Sequence, residues 1–499
     1  MSRLADLERR GVLAGMGLGA LVSLTPRALA GGVRVRTDVA PVVTGSGYVA
    51  GYWRGGVDIW KGIPYAASTA GEGRFMPPRP REPWDGVRRA LNYGPVCPVG
   101  PVPPVDLSAN EWPFLLANGP FTAPSEDCLR INIWSPSERE TGSLPVMVWL
   151  HADGFGGGSS QKYLASDGEN LARSQGVVVV SLNHRVGPLG FLNLARDPSH
   201  HFAAAANVGM LDIVHALQWV RDNIAGFGGD PGNVTVFGQS GGGFKISTLL
   251  AMPGAQGLFH RAIVQSGARL ALHEPAASSR LAEAVIESAR VAGPGELQSV
   301  PVDDFLVAAQ KASAALAPPG GARPDPLDWA PPPHWFEPTA QTQAIPHQPF
   351  SRAALKEARQ VPVICGTVRD EASPSVNRPE MEDLSFDEAV SHLSADLKGA
   401  AAPALRAARS EFPGATPTDL LSIVSSYRFR LQAVIACDRM ARAGWPVWNY
   451  VFDWSSPLFE GRARAYHTSD VAFVFANTDL LDRQTGGGAE ARALASRMS

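Results

Sequence analysis

Nothing in this 499-residue chain suggests a partner held by bulk charge, since Lys and Arg number 44 against 47 Asp and Glu for a net charge of -3. With no long run of like charge either, nucleic acid and anionic membrane surfaces are excluded as partners on composition. A GxxxxGK[ST] phosphate loop is missing, as is any His/Cys spacing that reads as a metal site, and no unit repeats at 20 to 50 residues. These absences fit a cofactor-free enzyme acting on a small molecule. Long apolar runs are missing too. The Gly/Ala/Leu-rich stretch 11–24 spans about 14 residues, short of the roughly 18 that a membrane-crossing helix needs.

That stretch has another reading. It follows Arg9-Arg10 and precedes Thr25-Pro26-Arg27 and the small-residue site Ala28-Leu29-Ala30, the order of a cleavable signal peptide. Adjacent arginines followed by Gly11-Val12-Leu13 resemble the twin-arginine export signal, with an ordinary Sec signal or an uncleaved anchor as the alternatives. Residues 1–30 are therefore set apart as an export signal cleaved after Ala30, and the mature protein is expected to be periplasmic or secreted. The whole chain is 45% hydrophobic, enough for a sizeable core, and the remainder, 31–499, reads as one large domain with insertions.

Short apolar runs recur at 131–134, 145–150, 177–182, 234–237, 262–265 and 361–365. Such runs predict buried strands of a mainly parallel sheet. Helix-period segments lie between them, for example 210–224 and 244–252, giving a doubly wound α/β alternation. Residues 317–338, crowded with Pro and Gly, predict an irregular excursion leading into helices that roof a site. The stretch 384–442 is helical in pattern, and 446–454 is strand-like.

Gly238-Gln239-Ser240-Gly241-Gly242 matches G-x-S-x-G. About a tenth of the chain is glycine, so the pentapeptide alone is weak. The strand pattern before it and the helix pattern after it make it a candidate nucleophile elbow, in which small neighbours tolerate a strained serine at a helix N-terminus. A serine hydroxyl needs a base, and an imidazole base needs an acid to hold its tautomer.

The run 227–242, Phe-Gly-Gly-Asp-Pro-Gly-Asn-Val-Thr-Val-Phe-Gly-Gln-Ser-Gly-Gly, resembles the serine signature of the type-B carboxylesterase family, and 126–136 resembles its second signature, apart from Arg130. Gly62-Ile63-Pro64-Tyr65-Ala66, Asn183-His184-Arg185 and Gln265-Ser266-Gly267 resemble further family blocks, and the likeness extends from about Pro41 to the C-terminus. It implies an α/β-hydrolase fold and a carboxylic ester hydrolase working through an acyl-enzyme. Ser240 would be the nucleophile, Glu371 in Gly366-Thr367-Val368-Arg369-Asp370-Glu371 the acid, and His467 in 465–475 the base. Asp370 is the runner-up for the acid. Ser266 would pack behind the triad or simply end a strand. The remaining histidines, among them His184, His200, His201 and His260, have structural readings.

By the same resemblance, the backbone N–H groups of Gly154 and Gly241 would bind the oxyanion, with Asp153 a third donor. The family's His-Gly-Gly-Gly-Phe reads His151-Ala152-Asp153-Gly154-Phe155 here. Two glycines are gone, which leaves two readings: the Asp153 carboxylate repels the developing charge and limits activity, or it points into solvent with its N–H still in place and costs little. Cys97 and Cys128 match the family's first disulfide, whereas Cys365 and Cys437 read as buried unpaired thiols. In the family, the helix beginning near Ala489 continues to a last segment, so exposed apolar surface is expected where that segment would pack. Two further readings stay open: a catalytically weak or dead cholinesterase-like binding module, and an amidase, carbamate hydrolase or lipase with the same triad.

Overall fold

Runs that are apolar on both faces must be covered on both faces. The computed structural model describes residues 34–101, 118–138, 140–195, 201–318, 328–376 and 378–499, and there the runs form the middle of a sheet. In chain order the strands are β1 (Val35–Arg36), β2 (Val42–Thr44), β3 (Gly47–Ala50), β4 (Tyr52–Arg54), β5 (Val57–Pro64), β6 (Val87–Arg89) and β7 (Arg130–Pro136). They continue with β8 (Leu144–Leu150), β9 (Val178–Leu182), β10 (Gly229–Gln239), β11 (Arg261–Gln265), β12 (Val363–Val368) and β13 (Val447–Phe452). Ten of them make one sheet in the order β1-β4-β5-β7-β9-β8-β10-β11-β12-β13, and β2-β3-β6 form a small second sheet. From β9 to β13 every pairing is parallel, while β1, β4, β5 and β7 join antiparallel. This is an α/β-hydrolase fold with a mainly parallel sheet.

Alternation along the strands supplies two cores. Ile131, Ile133, Val146, Val148, Leu150, Val180, Val234 and Val236 face one side, where they meet Met210, Ile213, Leu217 and Val220 of the helix Val208–Asn223. Trp134, Trp149, Val179 and Phe237 face the other and pack with Leu171 and Phe475. Each such fully buried side chain contributes about 1.5–3 kcal/mol.

Two strands differ from the sequence pattern. The run 361–365 starts late, at Val363, because Pro362 has no N–H for the ladder, and it continues to Val368 in register with Phe452 of β13. The run 234–237 lengthens backward to Gly229 across an irregularity in its pairing with β8. Among its described residues, 317–338 contains no helix or strand.

The helices between β12 and β13 include Phe386–Leu397, Ala401–Glu411, Pro417–Ser425 and Tyr427–Arg442. Two of them begin in reciprocal capping boxes, Ser385 with Glu388 and Thr416 with Asp419. Leu393, Leu405, Leu420 and Leu421 give them an apolar cluster of their own. Tyr427–Arg442 also lies against β12 and β13, so it ties this layer to the sheet. On the outer side, Ile263, Ile364 and Val451 line an apolar groove with Leu494 and Met498 of the helix Gly488–Met498. Residues 35–499 cluster as one compact unit, and the expected export signal, 1–30, lies outside the described residues.

Candidate active site

The serine loop sits where β10 ends and the helix Gly241–Leu249 begins. Ser240 has φ 55° and ψ -119°, a strained conformation for a residue with a Cβ. Glycines make the turn possible. A Cβ on Gly242 would stand 2.0 Å from the Leu150 carbonyl oxygen, and one on Gly238 would stand 2.8 Å from that oxygen and from the Gly242 backbone. The turn is pinned from the next strand, with Ser240 N–H donating to the Gln265 carbonyl at 2.8 Å.

Glu371 lies three residues past β12, at 4% exposure. Its Oε1 accepts from Val368 N–H at 3.1 Å, and its Oε2 lies 2.5 Å from His467 Nδ1. A carboxylate on Nδ1 fixes the tautomer with a proton there and leaves Nε2 as the basic nitrogen. That Nε2 faces the serine turn, where the Gln239 amide nitrogen lies 3.2 Å from it. Phe429 of the helix Tyr427–Arg442 covers the imidazole at a centroid distance of 4.8 Å.

Asp370, the alternative acid, faces elsewhere. Its carboxylate takes Arg369, Ser422 Oγ and the Ala465 N–H, so it joins the histidine loop to the helical layer. Ser266 is fully buried behind the serine turn at φ 47°, and its N–H donates to the Gly366 carbonyl at 2.8 Å.

Opposite the serine, the loop after β8 turns with Asp153 at φ 69° and Gly154 at φ 61°. It closes tightly on the helix, since a Cβ on Gly241 would lie 2.2 Å from Gly154 N. Gly241 opens its helix, so its N–H has no intrahelical acceptor. The Asp153 carboxylate, which the sequence left either repelling the oxyanion or facing solvent, has partners: Oδ1 accepts from Tyr163 OH at 2.6 Å and pairs with Lys162 Nζ at 2.9 Å.

Asp470 was given no role by the sequence. It is fully buried, and its Oδ2 accepts from Gln265 Nε2 at 2.9 Å and from Tyr450 OH at 3.2 Å. Burial pushes its carboxyl up to about 6, against the pull of those hydrogen bonds. Its position three residues past His467 was visible, but an aspartate before an apolar run reads as a helix cap.

The disulfide implied for Cys97 and Cys128 is not formed. Both are buried thiols, and Cys97 Sγ is instead turned between the N–H and carbonyl of Val186. The two thiols are nevertheless neighbours, and the hydrogen bond that Cys128 donates to Cys97, together with burial, pushes the Cys128 thiol up. Cys365 and Cys437 are also thiols and also neighbours.

The chain matches the model of the carboxylesterase family over residues 34–490. It is 36% identical to the para-nitrobenzyl esterase of Bacillus subtilis (strain 168) over 449 residues, 89% of this chain and 84% of the relative. A phenmedipham hydrolase of Pseudarthrobacter oxydans is 33% identical over 450 residues, 89% of this chain and 83% of the relative. Among solved structures, an esterase from Clostridium hathewayi that can hydrolyse aliphatic aromatic polyesters superposes with a TM-score of 0.77 at 34% identity, covering 93% of this chain and 89% of that one. The Geobacillus stearothermophilus carboxylesterase Est55 gives a TM-score of 0.73 at 32% identity, covering 93% and 89%. The protein thus belongs to the carboxylesterase family and is a serine carboxylic ester hydrolase of the α/β-hydrolase fold.

Proposed function

We propose that Ser240, His467 and Glu371 hydrolyse carboxylic esters through an acyl-enzyme. The observation that carries this is the 2.5 Å contact of Glu371 Oε2 with His467 Nδ1, beside a serine held at φ 55° in a glycine-lined turn. His467 Nε2 takes the Ser240 proton as Oγ attacks the ester carbonyl. The tetrahedral oxyanion is held by the N–H groups of Gly154 and Gly241, with Asp153 N–H adjacent. The imidazolium, stabilised by Glu371, then protonates the leaving alcohol. Water, deprotonated by the same nitrogen, releases the acid and restores Ser240.

Small esters are the substrate class this reading favours. The relatives named for para-nitrobenzyl ester and phenmedipham hydrolysis make those compounds the first to assay, beside p-nitrophenyl esters of increasing acyl length. Ser240→Ala should lower kcat by several orders of magnitude with an unchanged circular dichroism spectrum, because triad members act as a unit. His467→Ala and Glu371→Ala should follow, glutamate mildest since it orients rather than transfers the proton. More than a few per cent of wild-type activity in Ser240→Ala rules the assignment out.

Residues 1–30 act, in this proposal, as a twin-arginine export signal. N-terminal sequencing of exported protein should begin near Gly31, and replacing Arg9-Arg10 by two lysines should block export. Unimpaired export of that variant would favour the Sec route.

A further inference from the structure

The helix Gly241–Leu249 is enclosed by the fold, and five residues past Ser240 it carries a lysine. Lys245 is 0% exposed, among the largest side chains buried in the molecule. Neighbouring positions Ile246, Ser247, Thr248 and Leu249 are also buried, and an apolar residue at 245 would avoid the loss of hydration that an ammonium suffers there.

No carboxylate among the described residues forms an ion pair with it. Its Nζ donates instead to the His151 carbonyl at 2.7 Å and approaches the Ala152 carbonyl at 3.5 Å. Both carbonyls belong to the loop that carries Asp153 and Gly154. The groups around Nζ are accounted for. His151 and His184 stack at 4.8 Å beside it, and both are held neutral, first by burial and then by the lysine's own charge. Asp153, itself paired with Lys162, supplies the opposing field, and burial pushes Lys245 down to about 7.

Peptide planarity gives these contacts a direction. In a trans peptide the carbonyl of one residue and the N–H of the next point to opposite sides of the chain. Drawing the Ala152 carbonyl toward the helix interior therefore turns the Asp153 N–H outward, and holding the His151 carbonyl fixes the plane before it. The loop then enters two successive positive-φ residues, Asp153 and Gly154, the first of which has a Cβ that disfavours the turn. We propose that Lys245 is a positioning residue for the oxyanion loop, holding the His151 carbonyl firmly and, with the His151 ring, the Ala152 carbonyl, so that the Asp153 N–H faces the reacting ester. This rests on Ser240 being the nucleophile and 153–154 its oxyanion loop.

A lysine that merely satisfies buried carbonyls would affect stability alone. One that aims the loop must affect the oxyanion more than the ground state. The test uses the full chain with Lys245→Met, which keeps the length and loses the donors, and Lys245→Gln, which keeps a donor. Each is assayed for p-nitrophenyl butyrate hydrolysis, for inhibition by an alkyl trifluoromethyl ketone that binds as a tetrahedral oxyanion, and for stoichiometric labelling of Ser240 by a fluorophosphonate. Lys245→Met should lose about 10- to 100-fold in kcat with KM within about threefold, and ketone affinity should fall by a similar factor. Lys245→Gln should lie between it and wild type. Wild-type kcat and ketone affinity in folded Lys245→Met overturn the proposal, as does a loss confined to KM. If the methionine variant does not fold, wild-type kcat and ketone affinity in Lys245→Gln overturn it equally. Failure of the fluorophosphonate to label Ser240 in wild-type protein would instead sink the underlying reading of the site, and the role of Lys245 with it.

Discussion

At the scale of single residues, Asp153 shows how a neighbour changes the meaning of a charge. A carboxylate about 5 Å from a developing oxyanion opposes it by roughly 3 kcal/mol at an effective dielectric of 20. Lys162, 2.9 Å from that carboxylate, opposes this field, and Tyr163 OH fixes the side chain's direction. Asp153→Asn should therefore leave kcat within about threefold of wild type. Lys162→Met should lower kcat by about tenfold, and the double variant should recover, a coupling that a double-mutant cycle measures directly. Independent effects in the cycle would show that the pair does not screen the site. None of this was legible in His-Ala-Asp-Gly-Phe, because the partner comes from a separate part of the loop and carries no motif.

Asp470 yields a second prediction at this scale, with the sign set by its raised carboxyl. An ordinary aspartate ionises near 3.8, and this one near 6 in the folded protein. Between those values the folded state binds a proton that the unfolded state has lost, so stability falls as pH rises through that window. At neutral pH the buried carboxylate is a net cost. Asp470→Asn retains an acceptor for Gln265 and Tyr450. It should raise Tm at pH 7.5 while changing it little at pH 4.5, as followed by calorimetry. A lower Tm at pH 7.5 would mean that the charge is stabilising.

Among the elements, the helices between Phe386 and Arg442 stand apart. Leu393, Leu405, Leu420 and Leu421 pack with one another rather than with the sheet, and the last helix bridges the two. Leu405→Ala should cost about 2–5 kcal/mol locally. Faster hydrogen exchange should then appear in 386–425 and not in β8 to β11, and its appearance in those strands would show that the layer is not an independent unit. Sequence pattern located the central strands well: the apolar runs of β8, β9 and β11 lie within a residue of their observed bounds. The stretch 384–442 read only as one helical region, and the capping boxes at Ser385 and Thr416 that divide it were missed. Pattern also failed where pairing decided. The end of β12 at Val368 is set by β13, a strand some 80 residues further on, and the early start of β10 by an irregular pairing with β8.

Across the whole molecule, the sheet order brings together residues that the chain keeps far apart. Ser240 follows β10 and Glu371 follows β12, while His467 is 96 residues beyond Glu371 on a loop bridged to Asp370 through Tyr466. The motif around Ser240 was legible because strand, turn and helix are contiguous. Glu371 and His467 were legible only through the family resemblance, since a glutamate after an arginine and one histidine among 11 carry no local signature. Lys245 was invisible for the opposite reason. In a helix pattern a lysine reads as a surface residue, and its role depends on two carbonyls 93 and 94 residues away.

On the proposal that residues 1–30 are an export signal, the burial of Cys97 and Cys128, at 4% and 0% exposure, bears on the route the chain would take. A twin-arginine signal delivers a protein already folded in a reducing compartment, so both sulfurs would reach the oxidising side enclosed and inaccessible to a disulfide donor. A chain threaded unfolded would meet that donor with its sulfurs bare. Exported protein, denatured without reductant in the presence of iodoacetamide, should on the first route carry alkyl groups on both residues by mass spectrometry. A Cys97–Cys128 crosslink resistant to that treatment would show that the chain crossed before it folded. On that proposal, two sulfur atoms would keep a chemical record of the compartment in which the fold closed.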